Sequence, residues 1–393
     1  MITEEVLRNI IGTWKTPIKS KIIERSISLD TSGDRIIVIS GIRRCGKSTL
    51  LLQNFANKKN AVFINFEDPR LSGFEISDFY KIEKIANEKN AEYLIFDEIQ
   101  NIPLWEQYAR HAHDRGIKLF ITGSNASMLS KELGTKLTGR YKQYELFPFD
   151  YHEFREFTNQ EKGPDSFTEF LLKGGLPEFL KNRDPEYLRT LLNDIITRDI
   201  AVRRNIKNEH TLVKLAVNLM SNISKEFSFN KLTKILEIKS VRSTIDYCNY
   251  LQESYLIELI PAFSFSSHIR QNNPKKVYAI DTGLARANSI SLSDDYGRLL
   301  ENAVYLKLRK NFSDIQYFKD GKTECDFIVK QGNKITSAFQ VCWQLTPENL
   351  SREINGLKNA MQQTGAENGI IITFNQEDNF DTINAIPFWK WQM

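Results

Sequence analysis

Cysteine, histidine and methionine are scarce in this chain, with four, five and five in 393 residues. Cys45, Cys248, Cys325 and Cys342 stand far apart, with no CxxC pair and no histidine cluster beside them. That spacing excludes the usual zinc motifs and leaves reduced thiols as the expectation. Long apolar runs are missing too: no window approaches the ~20 continuous apolar residues of a membrane span. The opening MITEEVLRNIIGTWK carries acids early and no apolar stretch of signal-peptide length, so the expected setting is cytoplasmic, with no membrane partner. Charge of one sign is equally short. A formal net charge of +4 is far below that of a dedicated nucleic-acid coat, and any basic surface must be local. No repeat or low-complexity tract interrupts the chain.

What is present is a chain longer than one ordinary core, with 41% hydrophobic residues, which predicts two or three domains. Residues 41–48 read Gly-Ile-Arg-Arg-Cys-Gly-Lys-Ser, a complete G-x-x-x-x-G-K-[ST] phosphate loop. Arg35 to Ser40 (RIIVIS) suits a buried parallel strand before it, and Ser48 to Asn57 continues as an amphipathic helix. Gly41 and Gly46 allow the tight turn that aims backbone N–H groups at phosphates. Lys47 reaches the β and γ oxygens, and the Ser48 hydroxyl is offered to Mg²⁺. Gly41, Cys45, Gly46, Lys47, Ser48 and Thr49 are therefore the candidate nucleotide contacts. Cys45 lies close to Lys47 and a helix N-terminus, conditions that lower a thiol pKa and could make it oxidisable, against the plainer reading that this loop position accepts many residues.

A second apolar strand, Tyr93 to Phe96, ends in Asp97-Glu98. The first acid is placed to hold Mg²⁺, and the second to orient and polarise an attacking water. A third strand, Lys118 to Thr122, ends in Gly123-Ser124-Asn125. Thr122, Ser124 and Asn125 are candidates to sense hydrolysis, against the alternative of an ordinary polar turn. With further strands at Ala61 to Phe66 and Lys142 to Leu146 separated by helical stretches, the expected fold is an α/β parallel sheet covered on both faces, with its ligand at the strands' carboxyl ends.

The phosphate loop with Thr49-Leu50-Leu51, Asn65-Phe-Glu-Asp-Pro69, Leu94-Ile-Phe-Asp-Glu-Ile-Gln100, Ile121-Thr-Gly-Ser-Asn125 and Leu137-Thr-Gly-Arg-Tyr141 together resemble the AAA-type P-loop ATPases of the archaeal-ATPase-like family. Lys173-Gly-Gly-Leu-Pro-Glu-Phe179, Ile196-Thr-Arg-Asp199 and Leu300-Glu-Asn-Ala-Val304 resemble later blocks of the same family, so the likeness covers nearly the whole chain. The resemblance implies ATP and ADP as ligands, Mg²⁺ as cofactor, catalysis through Lys47, Asp97 and Glu98, and oligomerisation of the kind many AAA proteins show. It also points to Arg140 as an arginine finger or phosphate sensor. A surface ion pair is the competing role for Arg140, and Arg110 or Arg115 are alternatives.

Domain boundaries are expected at 1–149 for the ATPase, 150–223 for a helical lid or linker, 224–285 for a winged-helix-like domain and 286–393 for a last α/β domain. Phe229 to Ile235, a polar turn, and Val241 to Leu251 have helix-turn-helix spacing, with Leu256 to Phe265 and Lys275 to Ile280 as strands of a wing. Between Lys225 and Ile245, five Lys or Arg face two acids. Lys234, Lys239 and Arg242 are the candidate phosphate contacts to DNA, with a protein partner as the alternative.

From Gly297 the order helix, hairpin-like pair, strand, helix, strand resembles the PD-(D/E)XK nuclease core. That likeness puts a Mg²⁺ site on Glu301, Asp326 and Gln340, but Cys342 stands where such nucleases carry lysine. A thiol supplies no positive charge, so a degenerate nuclease fold is expected unless Lys307, Lys319 or Lys322 substitutes. The tail aromatics Phe388, Trp389 and Trp391 read as core or an interface patch, not as a base-stacking platform. Three functions follow as candidates: an ATPase moving a nucleic-acid-recognising C-terminal region, an ATP-controlled DNA nuclease, and a nucleotide-switched protein scaffold.

Overall fold

The computed structural model describes residues 1–13, 22–55, 58, 60–124, 137–266, 273–291, 294–321, 323–332 and 334–392. Contacts divide the chain into two units, Met1–Pro148 with Glu253–Tyr255, and Phe149–Gln252 with Leu256–Met393. Among the described residues no helix is long and apolar enough to cross a membrane.

The first unit is built on β1 (Ile36–Ser40), β2 (Ala61–Asn65), β3 (Tyr93–Asp97), β4 (Lys118–Gly123) and β5 (Tyr141–Glu145). They form one parallel sheet in the order β2-β3-β4-β1-β5. IIVIS and YLIFD are buried at every position, as strands covered on both faces must be. Helices α1 (Glu4–Thr13), α2 (Lys47–Phe55), α3 (Asp78–Glu88) and α4 (Trp105–Asp114) accompany them. Phe79 on α3 stacks on Tyr108 of α4 at 4.1 Å between centroids, and Phe66, Phe74 and Phe96 meet this pair at tilted or edge-on angles. Because β4 lies between β1 and β3, the carboxyl ends carrying the phosphate loop, Asp97 and Thr122 stand side by side.

The second unit opens with α5 (Tyr151–Thr158), α6 (Pro164–Lys173), α7 (Pro177–Asn182) and α8 (Pro185–Asp194). Proline at the first turn of α6, α7 and α8 fixes where each begins. Next come α9 (Glu209–Met220), β6 (Glu226–Phe227), α10 (Phe229–Ile235), α11 (Val241–Glu253), β7 (Ile257–Pro261) and β8 (Lys275–Ala279). The three strands pair antiparallel in the order β6-β8-β7.

Helix α12 (Thr282–Ala287) follows, capped by Asp281, whose side chain accepts from Leu284 N–H at 2.8 Å and from Gly175 N–H at 2.6 Å. A Cβ at Gly174 would lie 2.2 Å from Asp281 Oδ1, and one at Gly175 would lie 2.0 Å from the Phe149 carbonyl oxygen. The paired glycines are thus required by close backbone and carboxylate packing.

The chain ends in a mixed six-stranded sheet. Its elements are α13 (Tyr296–Asn311), β9 (Asp314–Asp320), β10 (Thr323–Gln331), β11 (Lys334–Cys342), α14 (Pro347–Thr364), β12 (Asn368–Thr373), β13 (Asp378–Phe380) and β14 (Ile383–Pro387). The order is β13-β14-β12-β11-β10-β9, with β11, β12 and β14 parallel and the remaining pairs antiparallel. Strands β13 and β14 were not foreseen from sequence. Phe388 and Trp391 are buried just beyond them, and Phe388 stacks on Phe167 at 4.5 Å.

Candidate nucleotide-binding site

The turn from β1 into α2 places the phosphate loop. Gly41 has φ +155, and a Cβ there would come within 2.2 Å of the Leu146 carbonyl oxygen, so only glycine fits. Lys47 is 4% exposed, and its ammonium donates to the carbonyls of Gly41 at 3.1 Å and Ile42 at 3.3 Å. It also lies 3.3 Å from Glu98 Oε1. Burial works against its charge, yet Glu98 and Asp97 hold Lys47 above the ordinary lysine value. Burial likewise pushes Glu98 upward, and Lys47, Gln100 and Arg43 outweigh it, so this carboxyl sits below its usual range.

Ser48 and Asp97 meet directly: the hydroxyl donates to Asp97 Oδ2 at 2.7 Å. Thr122 joins them, donating to Asp97 Oδ1 at 2.5 Å and accepting from the Glu98 backbone N–H at 2.9 Å. Burial, and then the neighbouring Glu98 charge, push Asp97 up to about 6 against these hydrogen bonds. An oxygen pair of hydroxyl and carboxylate beside a buried ammonium suits a hard cation bridged to phosphate, so these residues fit Mg²⁺-nucleotide. Ser124 is buried, with Gln100 Nε2 3.5 Å from its hydroxyl, and Thr49 is half-buried. Asn125 lies outside the described residues.

Two other expectations fare differently. Cys45 is fully buried, and desolvation raises its thiol pKa despite Lys47 and Arg25 nearby, so the oxidisable reading of this cysteine gives way to the plainer one. Arg140 donates to Asp114 Oδ1 at 3.0 Å, Arg115 pairs with Glu83 at 2.6 Å, and Arg110 stands 4.0 Å from Asp114.

Sequence reasoning passed over Gln100, which donates to Glu98, and Arg25. The Arg25 guanidinium donates to the carbonyls of Cys45 at 3.1 Å and Phe147 at 2.7 Å, which sets a cation against the phosphate loop. The Gln100 signal was its i+2 spacing from Glu98. Arg25 gave none, being 20 residues from the loop it touches.

Residues 33–155, the stretch carrying β1 to β5, match the AAA domain family, and residues 164–295 match a domain of unknown function, DUF8612. MJ1544, an uncharacterised protein of Methanocaldococcus jannaschii, is 34% identical over an alignment covering 100% of this chain and 95% of its own. The chain belongs to the MJ1544 family. A Haemophilus influenzae protein, also uncharacterised, is 28% identical across 80% of this chain and 84% of its own. The Aeropyrum pernix ORC1 protein, solved in complex with DNA, is 12% identical with a TM-score of 0.31, covering 78% of this chain and 94% of that one. Cdc6p of Pyrobaculum aerophilum is 15% identical with a TM-score of 0.28, covering 72% and 91%. Likeness this slight has no bearing on function. The AAA domain is the part of this MJ1544-family chain that carries the P-loop ATPase fold.

Outside that domain, Lys234 at the end of α10, Lys239 in the turn after it and Arg242 at the start of α11 are exposed, with no ion-pair partner among the described residues. Glu301 on α13 and Asp326 on β10 do come together, but through Lys276 of β8, at 3.2 and 2.9 Å. Burial and Asp326 push Glu301 up to about 8. Gln340 instead donates to Glu353 at 2.6 Å. Lys319 pairs with Glu226, Lys307 donates to the Trp391 carbonyl, and Lys322 lies outside the described residues. The lysine beside the two acids is none of those three but Lys276. Among the described residues no group of three or more His, Cys, Asp or Glu is placed to hold a metal.

Proposed function

We propose that the protein binds and hydrolyses ATP with Mg²⁺ and couples the cycle to a C-terminal region that recognises nucleic acid. The observation that carries the ATPase reading is the continuous polar chain of Ser48, Asp97, Thr122, Glu98 and Lys47 at the strand ends. Mg²⁺, when bound, supplies charge neutralisation, held through Ser48 and Asp97. Lys47 leaves Glu98 to meet the phosphates. That exchange frees the Glu98 carboxylate to accept a hydrogen bond from the attacking water, so the water-orienting group becomes available only when substrate has claimed the lysine. Arg140 would respond to the γ-phosphate after release from Asp114.

The nucleic-acid reading is supported by the helix-turn-helix of α10 and α11, followed by the β7–β8 hairpin, in the manner of a winged helix. The order of α13, β9, β10, β11, α14 and β12 supports a nuclease-like fold for the last domain. A protein partner is the second reading, favoured by Ile235, Val241 and Ile245, which are 56%, 36% and 37% exposed on the same helices.

The test is Mg²⁺-dependent ATP turnover with and without DNA, in wild type, Lys47→Ala and Glu98→Gln. DNA-stimulated turnover abolished by both substitutions is the expected result. Turnover indifferent to DNA transfers the assignment to a protein partner, and turnover that survives Lys47→Ala refutes the site.

A further inference from the structure

The acid cluster of the last domain faces a different cation from the one its nuclease-like order suggests. Lys276 is 3% exposed, and its ammonium lies 2.9 Å from Asp326 Oδ1, 3.2 Å from Glu301 Oε1 and 2.8 Å from Glu324 Oε1. An ammonium has three N–H donors, and here each has a carboxylate oxygen. All three donors of the ammonium are thereby used, and each of the three acids already has a cationic partner.

The remaining bonds fix this arrangement. The Tyr278 hydroxyl donates to Glu301 Oε1 at 2.7 Å, and the Val341 N–H donates to Asp326 Oδ2 at 2.9 Å. Asn302 on α13 makes a two-way bond with the Ala279 backbone on β8, at 2.8 and 2.9 Å, and Tyr278 stacks on Tyr305 at 4.4 Å. Lysine, acids and supporting groups thus all lie on β8, α13, β10 and β11.

We infer that the Lys276 ammonium is the resident cation of this cluster: it takes the place of a divalent metal and clamps the β7–β8 hairpin to the mixed sheet. Two consequences follow. The cluster has no vacancy for a catalytic metal, and the helix-turn-helix hairpin and the mixed sheet are held by a buried ionic contact whose loss opens a metal site. This reading stands apart from the ATPase proposal and does not depend on it.

The experiment uses the full chain without nucleotide and the probe Tb³⁺, whose emission is sensitised by a nearby tyrosine such as Tyr278. Wild type should show no saturable emission beyond that of Glu324→Gln, whose side chain is 43% exposed. Lys276→Met should gain saturable emission and a Tb³⁺-dependent rise in melting temperature, and both should be lost when Asp326→Asn is added. That second substitution separates this cluster from metal bound at Ser48 and Asp97. If Lys276→Met does not fold, Lys276→Arg keeps the charge and should fold while still refusing Tb³⁺. Saturable wild-type emission that Glu324→Gln removes would overturn the inference. So would a folded Lys276→Met that binds no metal, or Mg²⁺-dependent DNA cleavage by wild type that Asp326→Asn abolishes.

Discussion

Glu98→Gln should tighten ATP binding while stopping turnover. In the free protein the Glu98 carboxylate is 3.3 Å from the buried Lys47 ammonium. At an effective dielectric of ~20 that separation corresponds to about 5 kcal/mol of Coulomb attraction. Most of it offsets the cost of burying both charges, and glutamine retains a dipole toward the lysine, so the net loss is about 1–2 kcal/mol. Lys47 keeps its hydrogen bonds to Gly41 and Ile42, which limits the damage. The loss falls on the free state alone, because phosphate replaces Glu98 as the partner of Lys47 once ATP is bound. Affinity should therefore rise roughly 5- to 30-fold.

Turnover should fall by roughly 10²-fold or more, since the group that orients water is gone. Equilibrium titration with ATP, single-turnover hydrolysis and melting of the free protein read the three quantities separately. Glutamine is also the fair substitution, because it keeps the length and shape of the side chain and removes the charge alone. ATP affinity that is unchanged or weaker, with the free protein melting as wild type does, would show that Glu98 does not hold Lys47 before substrate arrives.

Gly175→Ala would drive a Cβ to 2.0 Å from the Phe149 carbonyl oxygen and should cost more than about 3 kcal/mol by urea unfolding. Gly163→Ala, which meets nothing within 4 Å, should cost less than about 1 kcal/mol. Asp281 is pushed by burial from 3.8 up to about 6, so the folded state holds its proton more tightly than the unfolded one. The stability it contributes is present below its unfolded value and is lost as pH rises through about 6, a change of up to about 3 kcal/mol that Asp281→Asn should flatten in unfolding measured across that range. Replacing Lys234, Lys239 and Arg242 together by alanine should make the dependence of log K for DNA on log salt shallower by about 3, at ~0.9 for each phosphate no longer neutralised, with ATP turnover without DNA unaffected. An unchanged slope would remove these residues from the DNA interface.

The parallel-sheet domain was legible because its demands are local. A phosphate loop needs glycine where Gly41 meets the Leu146 carbonyl, and a strand covered on both faces needs an unbroken apolar run such as IIVIS, so both requirements are written into consecutive residues. The acid pair was legible for the same reason, since Asp97 and Glu98 end such a run. Lys276 was not. In KKVYA its neighbour Lys275 has the same side chain at greater exposure, and no pattern in the strand separates them. What distinguishes Lys276 is where its partners are, 25 residues on in Glu301 and 50 on in Asp326. Gly174 and Gly175 show the same limit, because the carboxylate that requires them, Asp281, arrives 106 residues after Gly175. Arg25 repeats it from the other side of the loop. Backbone geometry is imposed by neighbours in sequence, whereas a buried charge is satisfied by whichever element the fold brings to it. The acids of the last domain face the Lys276 ammonium for that reason, and nothing in the sequence around Glu301 or Asp326 points to β8.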